Sequence, residues 1–121
     1  MIPDIVIPKN IDDIIKSKEM IRFMLFCRDE DNNLVYLRFE DFYRNTHGSH
    51  PNIVEGFEKE VEQNAENISI SQKGGGYATF LKRDNIHIRF FGQSGNYGRV
   101  DHLLLERLME NQKEFTYEIQ Y

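Results

Sequence analysis

The chain has one cysteine, Cys27, in 121 residues, so an internal disulfide framework and a zinc site of clustered cysteines are both excluded. Lying within an apolar run, that thiol is expected to be buried and inert. Basic side chains are in the minority: 15 Lys and Arg against 20 Asp and Glu give a net charge of -5, which argues against general affinity for nucleic acid, since such binding needs a basic surface to displace counterions. No apolar run approaches the roughly 20 residues of a membrane span. The opening MIPDIVIPKN also lacks the basic stretch and long apolar segment of a secretory signal, and a cytoplasmic protein with no membrane contact is expected. Proline is scarce: Pro3 and Pro8 bracket a short extended piece fit only for an edge strand or a tether. No repeat and no low-complexity linker interrupts the chain, so residues 1–121 are expected to form one domain, a length that buries roughly two thirds of its unfolded surface unaided.

Glycine is present but unevenly placed. Six of the eight glycines fall in two groups, Gly74-Gly75-Gly76 and Gly92, Gly95, Gly98. The second group lies in IHIRFFGQSGNYGRVDHLLL, residues 86–105, where Ile86, Ile88 and Phe90 alternate with His87, Arg89 and Phe91 as in a strand. Val100, Leu103, Leu104 and Leu108 then follow at helical spacing. A strand, a glycine-rich turn and a helix N-terminus in succession can hold an anion, phosphate above all, or can be an ordinary tight connection. The first group has no Gly-Lys-Ser/Thr after it, which excludes a nucleotide P-loop and predicts a hairpin turn or a bulge.

Elsewhere the pattern is a set of short strands. IRFMLFCR, residues 21–28, is apolar on both faces and predicts a central strand with Arg22 and Arg28 at its ends. DEDNN predicts a turn into the antiparallel strand LVYLRFE, residues 34–40. Ile11, Ile14 and Ile15 suggest only a brief helical turn. Pro51 marks the start of a helix running to about Ala65, with Ile53, Val54, Phe57 and Val61 as its apolar stripe and Glu55, Glu58, Lys59, Glu60, Glu62 and Gln63 as its wet face. His50 then sits at or beside the N-cap. Ile68–Gln72, Tyr77–Leu81 and Phe115–Tyr121 complete the strands. The pattern predicts an α+β fold of about six strands in a mainly antiparallel or mixed sheet with two amphipathic helices. No heptad or exposed apolar stripe asks for a partner chain, and a monomer is expected.

With these residues in place, the sequence resembles the phosphohistidine phosphatase (Janus) family. The resemblance rests on Ile2-Pro3-Asp4, on Arg22 in the first strong strand, on His50-x-x-Ile53, on the Gly74–Gly76 run, and on the block from Ile86 through Ser94 and Tyr97-Gly98 to His102. It implies a compact α+β fold and metal-independent removal of phosphate from phosphohistidine in protein substrates, without a cofactor. It further implies that His50 is the essential histidine and that Arg22 stands where many members have a phosphate-contacting lysine. Ser94, with the backbone of Gly95 and Asn96, would hold the phosphoryl oxygens, and His102 would be a supporting histidine on the second helix. Two positions depart from the family pattern: Asn52 replaces an acidic residue and Tyr77 replaces an arginine after the triple glycine.

The chemistry closes on these residues. A phosphoramidate has a weak P–N bond, so the protein must mainly bind phosphoryl oxygens and supply a nucleophile. The Gly92–Gly98 loop and Ser94 would cradle two oxygens, Arg22 would pair with the third, and His50 would act as general base for water or as the nucleophile itself. His102 is expected to be partly buried and to steady the loop. His47 and His87 are assigned to the surface. A metal site from Asp41, His47 and His50 matches no familiar zinc spacing, and none is expected. The alternative reading, motivated by Asn52 and Tyr77, is a non-catalytic phosphohistidine- or phosphopeptide-binding module.

Overall fold

Two apolar faces on one strand require cover on both sides of a sheet, and the computed structural model, which describes residues 2–40, 49–64 and 67–120, supplies it. The elements in order are β1 (Ile5–Val6), α1 (Ile11–Ser17), β2 (Met20–Arg28), β3 (Asp31–Phe39), α2 (His50–Gln63), β4 (Ile70–Lys82), β5 (Ile86–Phe91), α3 (His102–Glu110) and β6 (Phe115–Ile119). The six strands form one mixed sheet in the order β1-β3-β2-β4-β5-β6. Its centre is antiparallel and its two outer pairs, β1 with β3 and β5 with β6, are parallel. The protein is a small α+β domain.

Phe23, Leu25, Leu37, Phe80, Ile88 and Phe90 face α1 and α3 in the larger core. On the other face Met24, Phe26 and Tyr36 meet Ile53, Val54 and Phe57 of α2. The double-sided reading of β2 therefore holds, and the two amphipathic helices lie on opposite faces of the sheet. Phe26 and Phe57, with ring centroids 4.4 Å apart, join sheet to helix at the middle of the second core. Cys27 is buried, and burial pushes its thiol pKa up, in keeping with an inert role.

Four sequence expectations are corrected. The described residues form three helices rather than two, because Ile11, Ile14 and Ile15 extend into the seven-residue α1, ended by Lys18 in the left-handed region at φ 55°. The turn between β2 and β3 is shorter than DEDNN, since Arg28 already pairs with Asp31. Leu103, counted as core by spacing, is 63% exposed, and the helix instead buries Leu104, Leu105, Leu108 and Met109. The triple glycine is not a turn. It lies inside the 13-residue β4, where the pairing with β2 shifts register between Met24 and Phe26, so the bulge was the better of the two readings.

Glu60 also leaves the wet face assigned to it. Arg38 on β3 is only 5% exposed, and its Nε and Nη2 donate to the two Glu60 carboxylate oxygens at 3.0 and 2.7 Å. Its remaining N–H groups reach the carbonyls of Pro3, Asp4 and Leu37, and its guanidinium lies 4.8 Å from the Phe57 ring centroid. One side chain thus ties α2, β3 and the N-terminal segment together. No helix among the described residues is long and apolar enough to cross a membrane.

Candidate functional site

His50 is the first residue of α2, and its position follows from the cap. Ser49, in extended conformation, accepts a hydrogen bond from the Asn52 amide at 3.2 Å, and Pro51, which has no N–H, needs no acceptor in the first turn. No acidic residue occupies that first turn, so the positive end of the helix dipole is not offset by a carboxylate there. The His50 ring is 4% exposed, and its Nε2 lies 2.9 Å from the carbonyl oxygen of Gly76. A carbonyl can only accept, so Nε2 donates, and in the neutral ring the basic lone pair is on Nδ1.

The triple glycine makes room for that ring. A Cβ on Gly75 would stand 2.4 Å from the Phe23 carbonyl oxygen, 2.6 Å from Met24 Sδ and 3.2 Å from His50 Cδ2. On its other side Gly75 is stitched to the second glycine group: its N–H donates to Gly98 O and its carbonyl accepts from Ser94 N, both at 3.1 Å. Gly75→Ala is therefore expected to lose about 3 kcal/mol by overpacking, read as a lower urea midpoint. Gly95→Ala, where an added Cβ meets nothing within 4 Å, is expected to stay within about 0.5 kcal/mol of the parent.

Ser94 is buried at 2% exposure. Its Oγ accepts from the amides of Asn96 and Tyr97 at 3.2 and 3.1 Å, which occupies both acceptor sites and leaves the hydroxyl hydrogen as a donor. The loop is thus braced by its own serine. The Asn96 amide, expected at the phosphoryl oxygens, is engaged with Ser94, whereas Gly95 is exposed at the tip.

Arg22 faces the same side of the sheet, paired across strands with Tyr77. Its guanidinium carbon is 5.7 Å from the Tyr77 ring centroid, and its Nη1 is 3.4 Å from Oε2 of the buried Glu40. The structure therefore joins His50, Arg22 and Ser94 to three consecutive residues of β4, Gly76, Tyr77 and Gly75. His102 is exposed rather than partly buried, at the start of α3, whose apolar residues pack in the larger core on the face opposite α2. The α3 N-terminus is capped by the Asp101 carboxylate, which accepts from Leu104 N at 3.3 Å, so this helix end already carries an anion and the glycine loop does not deliver a free one. Asp41 and His47 lie outside the described residues.

Two grooves are formed elsewhere, one of about 430 Å³ between Pro3, Ile7, Phe39, Ile53 and Phe57, and one of about 330 Å³ between Ile2, Arg28, Tyr36 and Arg107. Neither is lined by His50, Arg22 or Ser94.

His87 was misplaced by the sequence. It is buried rather than on the surface, with Nδ1 2.7 Å from Thr116 Oγ1 and Nε2 4.0 Å from Glu118. Its place in an alternating strand, on the face opposite Ile86 and Ile88, was read as solvent. Burial lowers its pKa, with Arg83 as a further cause, against the opposing pull of Glu118. The folded chain then binds fewer protons than the unfolded chain below about pH 6.5. The stabilisation from a neutral His87 is complete above that pH and is lost as pH falls toward the folded-state value. The melting temperature is expected to drop between pH 7 and pH 5.5, and His87→Asn, which retains a polar group near Nδ1, is expected to flatten the slope.

The arrangement is that of a small α+β domain with a buried histidine at a helix start, set against a glycine-rich strand and a serine-braced loop. Residues 41–118 match the family model described as Janus/Ocnus family (Ocnus), and the chain belongs to that family. The matched stretch contains His50, both glycine groups and Ser94, while Arg22 precedes it. Compared with curated proteins, the sequence has no match.

Proposed function

We propose that the chain is a metal-independent protein phosphohistidine phosphatase, with His50 acting on a phosphoryl group held by Ser94, Gly95 and Arg22. The observation that carries this reading is the His50 hydrogen bond to Gly76 O, which holds the ring over the strand that also anchors Ser94 and Arg22. His50 Nδ1 takes a proton from water as the water oxygen bonds to phosphorus. The P–N bond breaks with its electron pair going to the substrate ring nitrogen, which takes up the proton that His50 removed from water. One hydrogen of water thus ends on the released substrate imidazole and the hydroxyl on phosphorus, and His50 returns to its neutral form. The Ser94 hydroxyl and the Arg22 guanidinium meet the oxygens on which charge accumulates, and the uncompensated start of α2 favours an anion nearby.

The expected result is release of phosphate from a histidine-phosphorylated protein in the presence of EDTA. Saturable, salt-sensitive binding of that protein without turnover would replace the hydrolytic reading by that of a binding module.

A further inference from the structure

Arg22 is pulled in two directions. Glu40 is 4% exposed, and its Oε1 accepts from the Arg22 backbone N–H at 2.8 Å. Its Oε2 is left to attract the guanidinium, yet it holds only Nη1, and only at 3.4 Å. A buried carboxylate beside a mobile arginine would normally draw it into a two-pronged contact, and Arg22 keeps 33% side-chain exposure instead. Among the described residues, the other group against it is the Tyr77 ring, 5.7 Å from the guanidinium carbon. A ring contacts the face of a guanidinium and uses none of its N–H groups, all of which point outward in the guanidinium plane.

The ring is itself held from the remaining sides. Phe91 stacks on it at 6.2 Å and 28°, and His50 meets it edge-on at 5.7 Å and 83°. Gly92, at φ 70°, clears space for it, since a Cβ there would stand 2.9 Å from Tyr77 Cδ2. Tyr77 therefore touches both the cation and the base.

We propose that Tyr77 is a positioning residue. Its ring keeps the Arg22 guanidinium from collapsing onto Glu40 and turns its N–H edge toward a phosphoryl dianion on the His50 side. This rests on the phosphoryl-site reading above and extends it to a residue that makes no charged contact of its own. The hydroxyl is not required and the ring is.

The test is a titration with inorganic phosphate, followed by amide shifts of the Ser94–Gly98 loop, in six proteins: the parent, Tyr77→Leu, Tyr77→Phe, Arg22→Ala, Tyr77→Leu/Arg22→Ala and Tyr77→Leu/Glu40→Gln. Tyr77→Leu is expected to weaken phosphate binding by roughly 3- to 30-fold, and Tyr77→Phe to leave it unchanged. In the Arg22→Ala background the same Tyr77→Leu change is expected to have no further effect, because Tyr77 acts through Arg22. Adding Glu40→Gln to Tyr77→Leu is expected to restore part of the affinity by weakening the competing carboxylate, a rescue that a merely structural role for the ring would not give. Equal losses in both Arg22 backgrounds, or no rescue by Glu40→Gln, overturns the proposal. So does the absence of saturable phosphate binding in the parent. Phosphate binding with the expected coupling but without turnover overturns the hydrolytic reading alone.

Discussion

Arg38→Met is expected to destabilise the fold by about 3–5 kcal/mol, seen as a fall in the urea midpoint at unchanged slope. The reason is that every N–H of the guanidinium is in use on a side chain 5% exposed. Methionine approximates the length of the stem but donates nothing. The Glu60 carboxylate, whose side chain is 17% exposed, loses its counter-charge, and the carbonyls of Pro3, Asp4 and Leu37 lose a donor each. Arg38→Lys keeps the charge but not the planar fork, and is expected to fall between the two. The double variant Arg38→Met/Glu60→Met is expected to be more stable than Arg38→Met alone, since an apolar pair of similar volume removes the stranded charge. A shift for Arg38→Met of less than about 0.5 kcal/mol, the range of an ordinary surface substitution, would contradict this account of how α2 is fastened to the sheet.

Patterns set by neighbours in the chain were legible, and pairings across it were not. β2 could be placed at the centre because Ile21, Phe23 and Leu25 alternate with Met24 and Phe26, and both sets need cover. The start of α2 was legible within a residue from Pro51, and that alone put His50 at the positive end of a helix. Glu60, by contrast, sits among Glu58, Lys59 and Glu62 with nothing in its local sequence to distinguish it. Its partner is 22 residues away on a strand, and only tertiary packing turns it inward. His87 failed for the same reason, since alternation assigns a face but does not say whether that face is covered. The triple glycine allowed two readings, a turn and a bulge, because the same residue permits a turn and permits close packing. What decides between them is the close packing at Gly75, against the Phe23 carbonyl, the Met24 sulfur and the His50 ring. The three-residue convergence of the candidate site on β4 was therefore readable only as a set of motifs in order, not as geometry. The glycine loop expected to hold a phosphoryl group differs most from its sequence reading: the Asn96 amide is engaged with Ser94 within the loop, and Asp101 closes the α3 terminus that had suggested an anion site.

His50→Gln is expected to reduce turnover of a phosphohistidine substrate by about 10²- to 10⁴-fold, the usual worth of a general base, while leaving the fold near that of the parent. Glutamine is chosen over alanine because the two separate the roles of the imidazole. Alanine would leave the Gly76 carbonyl without a donor and open space above Gly75, at about 1–3 kcal/mol for the lost partner alone, so a loss of activity could be assigned to altered structure. The glutamine amide can still donate to Gly76 O, but it has no basic nitrogen with which to take a proton from water. If the imidazole only braces the start of α2, His50→Gln retains activity and His50→Ala loses stability. If it carries the chemistry, both variants lose turnover and only alanine loses stability. The same pair distinguishes base from nucleophile when substrate carries labelled phosphorus: a quenched parent enzyme that retains acid-labile label on His50 identifies a phosphoryl-enzyme, and a parent that retains none identifies water as the attacking group. Parent-like turnover in His50→Gln would remove His50 from the reaction in either role and leave the Gly76 hydrogen bond as a structural contact.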